Sequence, residues 1–218
     1  MARNRERARN RRGSYLTHKS FTMYYGLYRN LRNAAWKCLS DFEIDALPVD
    51  VLKITRAAGI RVIKNSAVND LLPGERGKAY YNGVNWFIIY DDTQSVESSR
   101  LTIAHELGHI FLGHALTYAQ YSNVQEFGAK PPAEKQADAF AIRLLCPASV
   151  LMSLDLYDTE SIAKYCKIPI SHAKKRATRM QTLRERNKFF TDPMETAMFE
   201  NFRSYVEHEK LLRKFFEG

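Results

Sequence analysis

The stretch RLTIAHELGHIFLGH, residues 100–114, constrains this chain more than any other. Ile103, Leu107, Ile110 and Phe111 recur at helical spacing and define a face that has to be buried. The same helix carries His105, Glu106 and His109, and imidazoles or carboxylates do not enter a core unless something pairs with them. At about 100° per residue, His105 and His109 project only about 40° apart, one turn above the other. Two imidazoles so placed can grip one tetrahedral metal ion. Glu106 falls about 100° from His105 and about 60° from His109, where it reaches a metal-activated water rather than the metal. The turn thus offers two ligands and a general base.

His114 does not extend this set. With Ile103 set at 0°, His114 extrapolates to about 20°, on the core face, whereas His105 and His109 fall at about 200° and 240°. It is expected to point away from them, as a hydrogen-bonded residue at the helix end. The metzincin pattern is also missing, because Leu112 and Ala115 stand where it needs Gly and His. A third donor is expected from PPAEKQADAFAIRLLCP, residues 131–147. Glu134 and Asp138 are one turn apart on one helix face, and the nearby Ala137 and Ala141 are small enough for a close approach of the metal helix. Glu134 is the expected ligand, and Asp138 the acceptor of a ring N–H from a ligand histidine, His105. The same spacing occurs in thermolysin-like zinc peptidases. Capping acids on a solvated helix are the competing explanation, opposed by the apolar Phe140, Ile142, Leu144 and Leu145. Two imidazoles and one carboxylate leave a fourth position for water, the mark of a catalytic site for one divalent ion, Zn²⁺ with Mn²⁺ as the alternative. For the oxyanion, Tyr118, Tyr121 and His172 are candidates among which the sequence does not choose.

The remainder of the 218 residues supports a soluble, intracellular enzyme-sized chain. Cys38, Cys146 and Cys166 are far apart and odd in number, as suits a reducing compartment, and no apolar run is long enough to span a membrane, so a cytoplasmic protein is expected. The net charge of +9 is concentrated: residues 1–12 carry +5 and residues 171–190 carry +6, leaving −2 for the rest. The expected organisation is a disordered basic arm over 1–20, a metallopeptidase domain over 21–150, a basic helical segment over 151–190 and an amphipathic helix over 191–218. Within the domain, Pro48 is expected to open a helix that Gly59 stops, followed by a strand at Ile60–Ile63. AYYNG and NWFIIYDD form two further strands around an Asn82-Gly83 hairpin, and Ser98 or Ser99 caps the metal helix. The fold class is α+β, a small antiparallel or mixed sheet packed on helices with a helical carboxyl-terminal region. In the last helix Asp192 caps, Pro193 takes the first position, and Met198, Phe199, Phe202, Tyr205, Val206, Leu212 and Phe216 form a stripe for the body or, alternatively, a dimer contact.

LPVDVLKITRAAGIRV, then R…LTIAHELGHIFLGH, then EKQADAFAIRLLCP, in this order, resemble the ImmA/IrrE metallopeptidases over roughly residues 45–147. The resemblance implies a zincin-like domain, metal binding by His105, His109 and Glu134, and catalysis by Glu106. It also implies a substrate class, DNA-binding helix-turn-helix repressors of mobile elements or stress responses. Cys146 stands where the family usually has Met. An extended substrate could add to a strand such as WFIIY beside the metal helix.

The segment from Glu160 to Phe189 resembles a helix-turn-helix, in which Lys174, Lys175, Arg176 and Arg179 would touch phosphates or a protein partner. This feeds the alternative function, a DNA-binding regulator with a regulatory metal site, which Glu106 opposes because a purely structural site needs no base. A third reading, from KCLS at 37–40, is a peptide deformylase; HELGH lacks that family's Asp, and Cys38 falls on a helical pattern.

Overall fold

The computed structural model describes residues 25–26, 30–114 and 132–216. The amino-terminal arm and the loop at 115–131, with Tyr118 and Tyr121, lie outside the described residues. The elements in chain order are helices α1 (Leu31–Asp41) and α2 (Val51–Ala57), strand β1 (Arg61–Lys64), a short α3 (Asn65–Val68), β2 (Gly77–Tyr81), β3 (Trp86–Tyr90), α4 (Val96–Phe111), α5 (Pro132–Leu145), α6 (Ala148–Ser153), α7 (Thr159–Cys166), α8 (Ile170–Glu185) and α9 (Pro193–Phe216). The class is α+β, as the sequence pattern predicts.

Three strands form one mixed sheet in the order β1-β3-β2. β3 runs parallel to β1, with Val62 opposite Ile88, and antiparallel to β2, with Ala79 opposite Ile88. The central place of β3 follows from its composition. Phe87, Ile88 and Ile89 are consecutive and all buried, which requires cover on both faces of the strand. WFIIY therefore cannot take up a substrate strand, because both of its edges are already paired. The edge beside the metal helix is β2 instead.

Local chemistry sets the helix starts, and it moves two of the expected ones. Asp50, not Pro48, caps α2, accepting from the Leu52 and Lys53 amides at 2.9 Å. Ser95, not Ser98 or Ser99, caps α4 by accepting from the Ser98 amide at 3.2 Å. Asp192 caps α9 through the Met194 amide at 2.9 Å. Met198, Phe202 and Val206 of that helix are buried, but Leu212 and Phe216 are exposed, so the stripe packs on the body only through its first four turns or so.

One buried cluster runs from Tyr25 through α1, α4, α5, α6 and α7 to Val206. α4 and α5 meet at its centre, where Leu107, Phe111, Phe140, Ala141 and Leu144 are all essentially inaccessible. Gly108 permits that contact: a β-carbon there would lie 3.1 Å from the Ala137 Cα, 3.2 Å from its carbonyl oxygen and 3.3 Å from Phe140 Cδ1. Backbone cannot step aside as a side chain can. A Gly108→Val variant should therefore lose about 1–3 kcal/mol of stability through overpacking, less a few tenths regained in helix propensity. Its midpoint in urea unfolding is expected to fall, whereas an unchanged midpoint would mean that the two helices are not pressed together here.

Candidate metal centre and active-site cleft

Opposite the core face of α4, three donor atoms converge. His105 Nε2 and His109 Nε2 lie 3.0 Å apart, and Glu134 presents Oε2 to the first at 3.3 Å and Oε1 to the second at 3.1 Å. Metal bonds of about 2.0–2.1 Å at tetrahedral angles separate neighbouring donors by roughly 3.3 Å, so this triangle has the edge lengths of a zinc site. His109 is buried, and Glu134, in the first turn of α5, has its carboxylate near a helix end that favours negative charge.

The tautomers fit as well. An ionised carboxylate can only accept, so His105 Nδ1 donates to Asp138 Oδ1 at 2.9 Å. That leaves the Nε2 lone pair free to face the triangle. Burial pulls the His105 pKa down, yet the hydrogen bond to Glu134 and the charges of Glu106, Glu134 and Asp138 outweigh it and leave the pKa raised. Glu106 is buried beside these groups but is not one of the triangle's donors. Burial lifts its pKa above the ordinary carboxylate range, against the pull of His105 and His109 and with a further push from Glu134 and Glu75.

His114 departs from its expected place. α4 ends at Phe111, and Gly113 at φ 79° turns the chain, so extrapolating the helix three residues further gives the wrong direction. The His114 ring lies 5.3 Å from that of His109 and bonds Gln136 Oε1 through Nε2 at 2.8 Å. It is hydrogen-bonded at the helix end, as the pattern suggests, but near the histidine pair. It is not a member of the donor triangle.

The centre opens into a cleft of about 800 Å³. α4 forms its floor with Leu101, Thr102, His105, Glu106 and His109. On one side, β2 comes so close that a β-carbon on Gly77 would lie 2.4 Å from Thr102 Cγ2 and 3.4 Å from Glu106 Oε1. Only glycine allows this. The Asp91 amide bonds the Arg76 carbonyl and the Asn82 amide bonds the Asn85 carbonyl. By antiparallel alternation, Arg76, Lys78 and Tyr80 then use their backbone groups on β3, and those of Gly77 and Ala79 point to the outer edge.

On the other side, Arg100 fastens the α7–α8 turn to α4. Its guanidinium donates to the carbonyls of Val49 at 2.8 Å, Lys167 at 3.3 Å and Cys166 at 3.5 Å. This brings His172 and Lys175, on the first turns of α8, into the cleft wall. Sequence reasoning did not anticipate Gly77, Thr102 or Arg100 in these places. Gly77 within a strand pattern was the available signal, since an isolated strand glycine often marks close approach. Of the four basic residues expected at phosphates, Lys174, Lys175 and Arg179 are exposed. Arg176 is buried and donates to the Cys146 carbonyl, so it braces the end of α5 and cannot reach a phosphate.

The chain matches the model of the IrrE N-terminal-like domain, peptidase family M78, over residues 55–178, more than half its length. It belongs to the ImmA/IrrE family. That family is of zinc metallopeptidase type, and the matched region runs from α2 through the donor triangle to the start of α8, taking in Lys175. The search of curated proteins gave no match. No helix among the described residues is long and apolar enough to cross a membrane.

Protons and metal compete for the same His105 lone pair, and the surrounding carboxylates raise its affinity for the proton. Apparent zinc affinity, measured by competition with a chelator, should therefore begin to fall on acidification before an ordinary imidazole would titrate. Affinity that holds constant through the ordinary imidazole range would contradict this electrostatic picture.

Proposed function

We propose that the protein is a zinc-dependent endopeptidase of the cytoplasm that cleaves a DNA-binding transcriptional repressor. The observation that carries the peptidase reading is the position of Glu106. It is a buried carboxylate on the turn between the two imidazoles, outside the donor triangle and with a raised pKa. A structural metal site has no use for such a group, whereas hydrolysis needs a base poised nearer neutrality than a free carboxylate. His105, His109 and Glu134 would hold one Zn²⁺, with Mn²⁺ as the other candidate. When bound, the ion supplies Lewis-acid polarisation of the scissile carbonyl and lowers the pKa of water at the open position.

The chain's own residues then divide the work. Gly77 and Ala79 offer outward-facing backbone groups to an extended peptide added to the edge of β2, which would align the scissile bond with the floor of the cleft. Glu106 takes a proton from the attacking water and passes it to the leaving amine, a role its burial favours. Asp138 holds His105 in the tautomer that presents Nε2. Glu106 is buried, and the glycine at position 77 lets β2 lie close over it.

The repressor as substrate follows from the family resemblance, and a strand-edge site requires that the target present a flexible segment. The alternative, a DNA-binding regulator, loses one of its four phosphate contacts to the burial of Arg176, and another, Lys175, lies in the cleft. Co-expression of the chain with the repressor encoded beside its gene tests the choice. Wild type should remove intact repressor, and Glu106→Gln should leave it intact while keeping its metal. Equal loss of repressor with both forms, or none with either, would overturn the proposal.

A further inference from the structure

The cleft has one wall whose charge the peptidase chemistry does not use. With Leu101 at 0° on α4, His105 lies near 40°, Thr102 near 100°, Glu106 near 140° and Arg100 near −100°. β2 packs over Thr102 and Glu106, and the α7–α8 turn is held by Arg100. The start of α8 therefore stands across the cleft from the strand edge, and its contributions there are His172 and Lys175.

Among the described residues, every acidic group that lines the cleft has a partner or task elsewhere. Glu134 faces both imidazoles, Asp138 holds His105, Glu75 accepts the Leu72 amide at 2.8 Å, and Glu106 lies on the strand side. Of the basic groups, Lys78 is paired with Asp70 at 2.8 Å, and Arg76 is exposed on the strand side of the cleft. Lys175 makes no ion pair among the described residues. The sole acid of α8 is Glu185, ten residues further on and so about 15 Å along the axis, beyond the reach of a screened charge. Lys175 is exposed and projects into a site where a peptide on β2 would pass.

Building on the peptidase reading, we propose that Lys175, with His172 beside it, selects substrates that carry an aspartate or glutamate next to the scissile segment. A peptide strand on the edge of β2 turns alternate side chains across the cleft, and one of them meets the Lys175 ammonium. Such a pair chooses among sequences more than it adds total affinity. Lys175 of the basic carboxyl-terminal segment thereby acquires a role in the cleft itself.

The test uses the full chain with Glu106→Gln, loaded with zinc, and a degenerate decapeptide library whose bound fraction is read by mass spectrometry. Aspartate and glutamate should be enriched about tenfold over asparagine and glutamine at one position, the effect of roughly 1.4 kcal/mol. Adding Lys175→Glu should abolish that enrichment and favour lysine or arginine at the same position. Lys174→Glu, which changes the charge of the same helix outside the cleft, should leave the enrichment in place. Absence of acidic enrichment, whether from uniform capture or from none, overturns the proposal, as does enrichment that survives Lys175→Glu. Failure of the peptidase reading shows separately, as identical turnover of the bound peptides by the wild type and by Glu106→Gln, or turnover by neither.

Discussion

The close contact between α4 and α5 is the constraint on which the site depends. Two histidines on one helix cannot complete a metal site alone, and the third donor comes from 25 residues further along the chain. Gly108 against Ala137 lets the helix backbones approach, and the approach sets Glu134 opposite both imidazoles. Apolar burial of Leu107, Phe140 and Leu144 on the far side supplies the force that holds the pair together. Polar groups stand on one side of this contact and core on the other, so stability and site geometry are properties of one interface.

The polar groups of the site form a balanced set. His109 and Glu106 are buried, His105 and Glu134 half-buried and Asp138 exposed, and the five lie close together, with Glu134 and Asp138 facing imidazoles and burial raising the Glu106 pKa. Moving charge into such a place is costly unless it is paired, and a divalent cation pairs with all of it at once. The sheet contributes in another way. β3 is fixed between two partners, and β2 is left as the edge over Glu106, with glycine where any side chain would collide with Thr102. The carboxyl-terminal helices share the same core, and Arg100 binds the turn before α8 to α4.

How much of this was legible in the sequence depended on the range of the interactions. The four-residue spacings of His105 with His109 and of Glu134 with Asp138 are local, so the faces they share could be read from helix geometry, as could the hairpin at Asn82-Gly83. Helix starts were less legible because several residues compete to cap: Asp50 displaced Pro48, and Ser95 displaced Ser98 and Ser99. His114 was misdirected because the helix stops before it, at a glycine that reverses the chain. Strand order could not be read from WFIIY, since an apolar strand shows only that it is covered, not by what. The burial of Arg176 depends on a carbonyl 30 residues away, which no local pattern reveals.

Two imidazoles of α4 and one carboxylate of α5 are proposed to hold the same ion. X-ray absorption at the zinc edge of the zinc-loaded full chain reads that donor set. Two imidazole nitrogens at about 2.0–2.1 Å and light oxygen donors at about 2.0–2.2 Å are expected, with the oxygen shell altered by Glu134→Ala. A sulfur shell at about 2.3 Å, a single imidazole, or a spectrum indifferent to Glu134→Ala would contradict it.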